Sequence, residues 1–394
     1  MTGSWKIYVL AIVSFLVGTS EYIISGVLDK IADSLGITIT AAGQLITIFS
    51  LVYAILTPVL MALTAKVERR KLLVYSLGVF VVANLLSFAL PGYIPFVIAR
   101  VLMAMGAGMV VVTALGIAAK IAPPGKQASS IATVVMGFTA SLIIGVPLGR
   151  VAAAAFGWKS VFGLIAVLGI LSMFVLHKAI PKTTGDAPVP LLQQFALLKK
   201  PKVALGLAIT FFWLGGYSVA YTYLSPYLLN VSGLNEQWIS SALFAFGIAS
   251  LIGSKFGGFS TDRWGVPLTL IGGMLLHIIA LIVLSFTNAG ASVMLVFAVL
   301  VIWSLAAWSS GPTQQYNLVQ LEPNSSGVML GLNQSMMQLS MAAGAGIGGI
   351  AIERISLSSI AWIGAAGVAI AAVVSLVLFQ SIKQESTDHA ALDA

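Results

Sequence analysis

The sequence predicts an all-α integral membrane protein of twelve transmembrane helices in two pseudo-symmetric six-helix bundles. Three observations predict it. Hydrophobic residues make up 59% of the 394 and charged residues 8%, against about 25% charged in soluble domains. Apolar runs near the ~20 residues that cross a bilayer core recur twelve times between polar or Gly/Pro breaks. The loop after the second run also has a counterpart after the eighth, 197 residues later. Open sheet edges cannot sit in lipid and these runs exceed a barrel strand, so each is read as a helix.

The first run, 6–28, is too long for a cleavable signal and no small-residue cleavage site follows it, so it should remain as the first span. The next five are expected at 40–64, 72–91, 95–121, 127–154 and 159–180. The longest polar connection, 181–202, then divides the chain into a bundle over 1–180 and a second over 203–394 with a short cytoplasmic tail. Its Pro and Gly suit a linker, and LLQQFALLKK within it suits a short amphipathic surface helix. The second six spans fall at 203–229, 236–260, 266–287, 290–320, 326–351 and 357–382.

Twelve spans place both termini on one side, and the basic residues choose it. Fifteen of the twenty Lys and Arg fall on the face that carries the termini. Four, Lys30, Arg150, Lys159 and Arg354, fall on the other, and Arg100 lies inside a span. That bias predicts that the crowded face is the cytoplasmic one. It also accounts for the net charge of +8 without a nucleic-acid partner. With no cysteine there is no thiolate metal site or cysteine nucleophile. The three histidines are scattered, and no GxxxxGK[ST] loop or HExxH pair occurs. We expect no enzyme activity, no cofactor and no metal.

Two charges lie within apolar runs. Glu21, in FLVGTSEYIISGVL, is the one acid that falls neither in a loop, at a helix end nor in the tail. Insertion scales set its cost at no less than ~2.5 kcal/mol, so it is kept for work or is paired. A carboxyl in apolar surroundings can load and release a proton as its access changes sides, so Glu21 is the candidate proton carrier. At ~1.5 Å per residue, Glu21 and Arg100 lie roughly 10 and 8 Å below the outer ends of their helices, at similar depth. Arg100 is expected to tune Glu21; the alternative is that it snorkels to the outer surface.

The loop from Gly258 to Gly265 reads GFSTDRWG, and its counterpart reads MALTAKVERRK. With GTSEYIISGVL, AAGQLITIFSLVYA, ARVLMAMGAG and GVPLGR, these stretches resemble the major facilitator superfamily over essentially all twelve spans. More narrowly they resemble its drug:proton antiporter family, and bacterial sugar-efflux and purine-efflux members within it. The resemblance implies the major facilitator fold, with a substrate site between the halves near the midplane. It also implies a conformational latch at Gly258, Asp262, Arg263 and Gly265. The first copy keeps Arg69 and Arg70 but has Ala65 where an aspartate is expected and Glu68 where a glycine is. Gly145, Pro147 and Gly149, with Gly137, resemble the antiporter motif, expected to form a tight seam between the halves.

Substrate-binding candidates are the aromatics and amides of the spans. Trp213, Tyr217 and Tyr221 recur at four-residue spacing along one helix face. Trp308, Gln314 and Gln315 lie in the tenth span, Asn333, Gln334 and Gln338 in the eleventh, and Gln44 and Tyr53 in the second. Uncharged amides and rings suit a flat or hydroxylated neutral ligand. The function expected is a proton-coupled antiporter exporting small molecules or drugs by alternating access. A dedicated purine base or nucleoside exporter, or a sugar exporter, is the alternative, and a membrane-embedded enzyme or receptor a remote one. The expected partners are a small-molecule substrate, protons and the lipid bilayer, the protein acting as a monomer.

Overall fold

A computed structural model describes residues 4–122, 127–182, 196–288, 290–323 and 326–392. Most of the 181–202 connection, including the start of its amphipathic stretch, lies outside them; within it are one 3-10 turn, Leu197–Lys199, and the start of the next helix at Pro201. Among the described residues there is no strand, and twelve helices are long and apolar enough to cross a membrane.

The helix boundaries follow local chemistry. The second span, Ile39–Leu63, starts where Thr38 Oγ1 accepts from the Ala41 amide at 3.1 Å. The tenth, Val293–Leu321, starts where Ser292 Oγ accepts from Leu295 at 3.1 Å. Each cap satisfies an amide that the first helical turn leaves unpaired. Gly92, Gly157 and Gly265 take positive φ just before the fourth, sixth and ninth spans.

Two runs read as continuous are interrupted, and the first ends close to its expected bound. The first span, Ser4–Gly26, stops at Val27, and a separate helix, Leu28–Leu35, follows. Gly36 ends it at φ 61°, returning its amide to the carbonyls of Ala32 and Asp33, a left-handed cap that favours glycine. The seventh span, Pro201–Thr222, breaks at Tyr223 before Leu224–Asn230. Pro226 explains the break, because it lacks an amide and its ring crowds the carbonyl four residues earlier. In the fifth span Pro147 acts in the same way. The turn before it, Ser141–Gly145, widens to π geometry, with the Val146 amide reaching the Ser141 carbonyl. Composition sees an unbroken run in the fifth and seventh spans; those breaks are backbone events.

The chain forms two compact units. The first comprises Met1–Leu191 with Thr222–Leu229 and Leu234–Gly247; the second comprises the remainder. In the first, the third span (Arg69–Ala89) packs on the fourth (Tyr93–Ile121) and the sixth (Lys159–Ala179). In the second, the ninth (Val266–Ser285) packs on the tenth and the twelfth (Ser359–Leu392), the same pairing repeated.

The first and fifth spans make the tightest seam of the first unit. A side chain on Gly137 would meet the Ala11 carbonyl, one on Gly145 would meet Thr19, and one on Gly149 would meet Ile23. Each pair is 126 residues apart, so the two helices run parallel in constant register. The eleventh span (Ser326–Arg354) approaches the seventh similarly, with Gly344 against the Gly215 carbonyl and Ser218.

Candidate functional site

Glu21 is 4% exposed and Arg100 fully buried, both in the first unit. The Arg100 guanidinium does not snorkel. Its Nη1 donates to the Ser20 carbonyl at 3.0 Å and to Met103 Sδ at 3.2 Å, and its carbon sits 4.2 Å from the centre of the Phe49 ring. The charge of Glu21 acts on it. Ser20 Oγ in turn donates to Asn84 Oδ1 at 3.1 Å and to Met103 Sδ at 2.9 Å, and Asn84 Nδ2 donates to the Phe80 carbonyl. Spans one, three and four are thereby pinned around the two charges. Gly106 allows this, since a side chain there would collide with the Phe80 backbone. With Glu21 ionised the pair is neutral; with a proton on Glu21 the site carries the full charge of Arg100. The second span contributes Tyr53, buried, with its ring 6.1 Å from Phe49. Gln44 is half-buried, nine residues earlier on that helix.

In the second unit the predicted aromatics do gather. Tyr217 stacks on Tyr221 at 5.1 Å and 16° and meets Trp303 at 5.7 Å and Trp308 at 6.2 Å. Trp213, one turn earlier, lies against Gly311 of the tenth span. His277 joins them, its ring 6.3 Å from Tyr217 and its Nε2 accepting from Trp303 Nε1 at 2.7 Å. Sequence reasoning set His277 aside with the other histidines. Its signal was available: an ionisable side chain in the middle of an apolar run is by default a functional candidate.

The amides are knitted differently. Gln314 Nε2 donates to the Gly206 carbonyl at 2.6 Å and to Thr210 Oγ1 at 3.0 Å, and its Oε1 accepts from Asn317. Thr210 donates to Asn333 Oδ1 at 2.8 Å. Gln338 is buried, Gln334 half-buried and Gln315 exposed.

A third constellation escaped the sequence entirely. Arg150, at the end of the glycine seam and 1% exposed, holds Asp29 through both terminal nitrogens at 2.7 and 3.0 Å. It also holds both oxygens of Glu236 at 2.9 and 2.8 Å, and donates to Ser225 and the Gly26 carbonyl. Ser225 donates to Asp29, and Lys30 pairs with Glu236 at 2.8 Å. All of these lie in the first unit. Burial works to raise the Asp29 pKa; the bonds and charge of Arg150, with Ser225, outweigh it and hold the carboxyl below its ordinary value.

At the loop motifs, Arg70 pairs with Glu68 at 3.5 Å and donates to the carbonyls of His177 and Ile180 at 3.3 and 3.4 Å, and Arg69 is buried. Asp262 and Arg263 are exposed. Gly265 takes φ 80°, whereas a side chain on Gly258 would meet nothing within 4 Å. The glycines Gly145 and Gly149, expected between the halves, make their close contacts with the first span.

Comparison with known proteins agrees with this architecture. The family model of the Major Facilitator Superfamily matches residues 10–345. The MFS-type transporter YbcL of Bacillus subtilis (strain 168) is 68% identical over 381 residues, covering 97% of both chains. Among solved structures, a peptide transporter POT in complex with alafosfalin superposes with a TM-score of 0.75 at 15% identity, over 96% of this chain and 94% of that one. A bacterial homologue of the human lysosomal transporter Spinster gives 0.69 at 18%, over 96% and 94%. The human organic anion transporter MFSD10 gives 0.71 at 14%, over 95% and 100%. At those identities the likeness is one of fold.

Proposed function

Because the chain belongs to the Major Facilitator Superfamily and is a membrane transporter, we propose that it is a proton-coupled antiporter exporting a small molecule by alternating access. The observation that carries this is Glu21, buried in the first span within electrostatic reach of the fully buried Arg100. A proton arriving from outside neutralises Glu21 and leaves Arg100 uncompensated. Release of that proton to the cytoplasm restores the neutral pair, while cargo moves the other way. Export as the direction rests on the likeness of GVPLGR and the first-span motif to exporting families. Cytoplasmic termini rest on the basic bias, and bundles over 1–180 and 203–394 joined by the 181–202 linker rest on the internal repeat. Cargo binds at the aromatic cluster around Tyr217, whose rings suit a neutral, flat molecule. The loops at Asp262 and at Arg69 and Arg70 act as cytoplasmic latches in part of the cycle.

The test is transport into proteoliposomes with an imposed pH gradient, using a panel of nucleosides, sugars and cationic dyes. We expect gradient-driven accumulation of one class, abolished by Glu21→Gln. Equal gradient-driven transport by that variant would sink the proposal.

A further inference from the structure

The first span, held to the fifth by its glycine seam, also borders the sixth, and between those two helices runs a groove of 270 Å³. All of it lies in the first unit. Val9, Ile12 and Leu16 line it from the first span, and Leu168, Leu171 and Val175 from the sixth. Leu16 is buried on the floor, whereas Ile12, Leu171 and Val175 are exposed along the sides. Ser172, the one polar residue of the lining, turns its hydroxyl back to the Leu168 carbonyl at 2.8 Å and offers the groove nothing. Such a surface takes hydrocarbon.

Spans one and six cross in opposite senses, so Val9 and Val175 mark the same end of the groove, the end nearer the termini. At ~1.5 Å per residue, Val9 to Leu16 covers roughly 10 Å, less than half of a ~30 Å core, so the groove belongs to one leaflet. Lys6 lies three residues before Val9, and Lys178 three residues after Val175. A three-residue step keeps each on the groove's side of its helix, so one lysine from each wall stands at the mouth. Neither pairs with an acid among the described residues, and Glu68 in the loop after the second span is taken by Arg70. Trp5 and Tyr8, on either side of Lys6, are exposed, and such rings settle at headgroup level.

The basic bias of this face requires cations somewhere on it; it does not require one on each wall of the same apolar groove. A zwitterionic headgroup would bring its own ammonium to two unpaired cations, whereas an anionic one brings only its phosphate. We infer that the groove is a binding site for an anionic phospholipid of the leaflet bordering the termini, with an acyl chain against Leu16 and Ser172 and the phosphate held by Lys6 and Lys178. A lipid seated there packs along the helix that carries Glu21.

The test is native mass spectrometry and thermal unfolding of the purified full-length protein, delipidated in detergent. It is titrated with phosphatidylglycerol and with phosphatidylcholine of the same acyl chains. Phosphatidylglycerol should bind at least roughly tenfold tighter, the scale of two lysines beside an anionic headgroup, and should raise the melting midpoint. Lys6→Ala with Lys178→Ala should bring the two lipids to equal affinity. Lys66→Ala with Lys199→Ala removes the same charge from the same face at exposed positions outside the groove, and should leave the preference intact. Ile12→Trp, which fills the groove from an exposed position, should weaken both lipids. Glycerol phosphate, a headgroup without chains, should not shift the midpoint. Equal affinity of the two lipids for the native chain, or a preference that survives loss of Lys6 and Lys178, overturns the inference. So does a preference lost equally in the Lys66 and Lys199 control, which would mean that only the overall charge of the face attracts the lipid. Full lipid binding by Ile12→Trp, or a midpoint raised as far by glycerol phosphate, overturns the groove as the seat of the chain.

Discussion

Arg150 shows what a single residue does that its position in the sequence conceals. One guanidinium, 1% exposed, is shared by Asp29 from 121 residues away and Glu236 from 86 residues away. Replacing Asp29 by Asn keeps the shape and removes one charge from a part-buried bidentate pair, a loss of about 1–3 kcal/mol. The pH dependence follows from the direction of the Asp29 shift. A carboxyl held below its ordinary value contributes fully above the unfolded pKa, and the contribution is lost as pH falls through the lowered folded value. The melting-temperature gap between the native chain and Asp29→Asn should therefore be flat between about pH 5 and 8 and close only in stronger acid. A gap that closes already near neutrality would mean that Asp29 is not ionised against Arg150. Glu21 and Arg100 were legible because each is a charge stranded in an apolar run. Arg150 was not, since it falls four residues from the outer end of the expected span 127–154 and reads as an outer-face cation. Arg100→Ala should cut gradient-driven transport in the same proteoliposome assay by more than roughly tenfold, since Glu21 then loses the charge that balances it; unchanged coupling would remove Arg100 from the mechanism.

At the level of elements, the fifth span is defined by what its glycines touch. The sequence marked Gly137, Gly145 and Gly149 as a close-packing face, and did so for a physical reason, since small residues let membrane helices approach. It could not name the partner, because spacing gives a face and not the neighbour. The coordinates name the first span, the helix that carries Glu21. A side chain on Gly137 would fall 2.1 Å from the Ala11 carbonyl oxygen, which is backbone and cannot swing aside. Gly137→Ala should thus destabilise the protein by at least about 1–3 kcal/mol, the usual cost of overpacking. Gly116→Ala is the matched control, as a side chain there meets nothing within 4 Å and alanine is the better helix former. Thermal unfolding of both purified variants should show a lowered midpoint for the first and an equal or raised one for the second. The π turn beside Pro147 belongs to this scale as well. A proline was visible, but the widened turn before it is a backbone response that composition does not encode.

For the whole molecule, hydropathy found twelve spans because lipid-facing and protein-facing side chains are both apolar, so run length survives whatever each helix packs against. The same blindness explains why the break at Tyr223 was missed: it lies where apolar residues continue. The repeat was legible from one loop and its copy, and packing extends it, with the third span on the fourth and sixth matched by the ninth on the tenth and twelfth. Orientation is a property of the whole chain, and the basic bias proposes it without help from coordinates. The absence of cysteine makes it directly measurable, because an introduced thiol is the sole reactive one. Asn288 is exposed in the loop between the ninth and tenth spans, on the sparsely basic face, and Lys66 is exposed in the loop between the second and third, on the crowded face. With cytoplasmic termini, Asn288→Cys in intact cells should react with a membrane-impermeant maleimide. Lys66→Cys should react only after the membrane is permeabilised. The reverse pattern would invert the topology, and with it the direction in which Glu21 is proposed to carry protons.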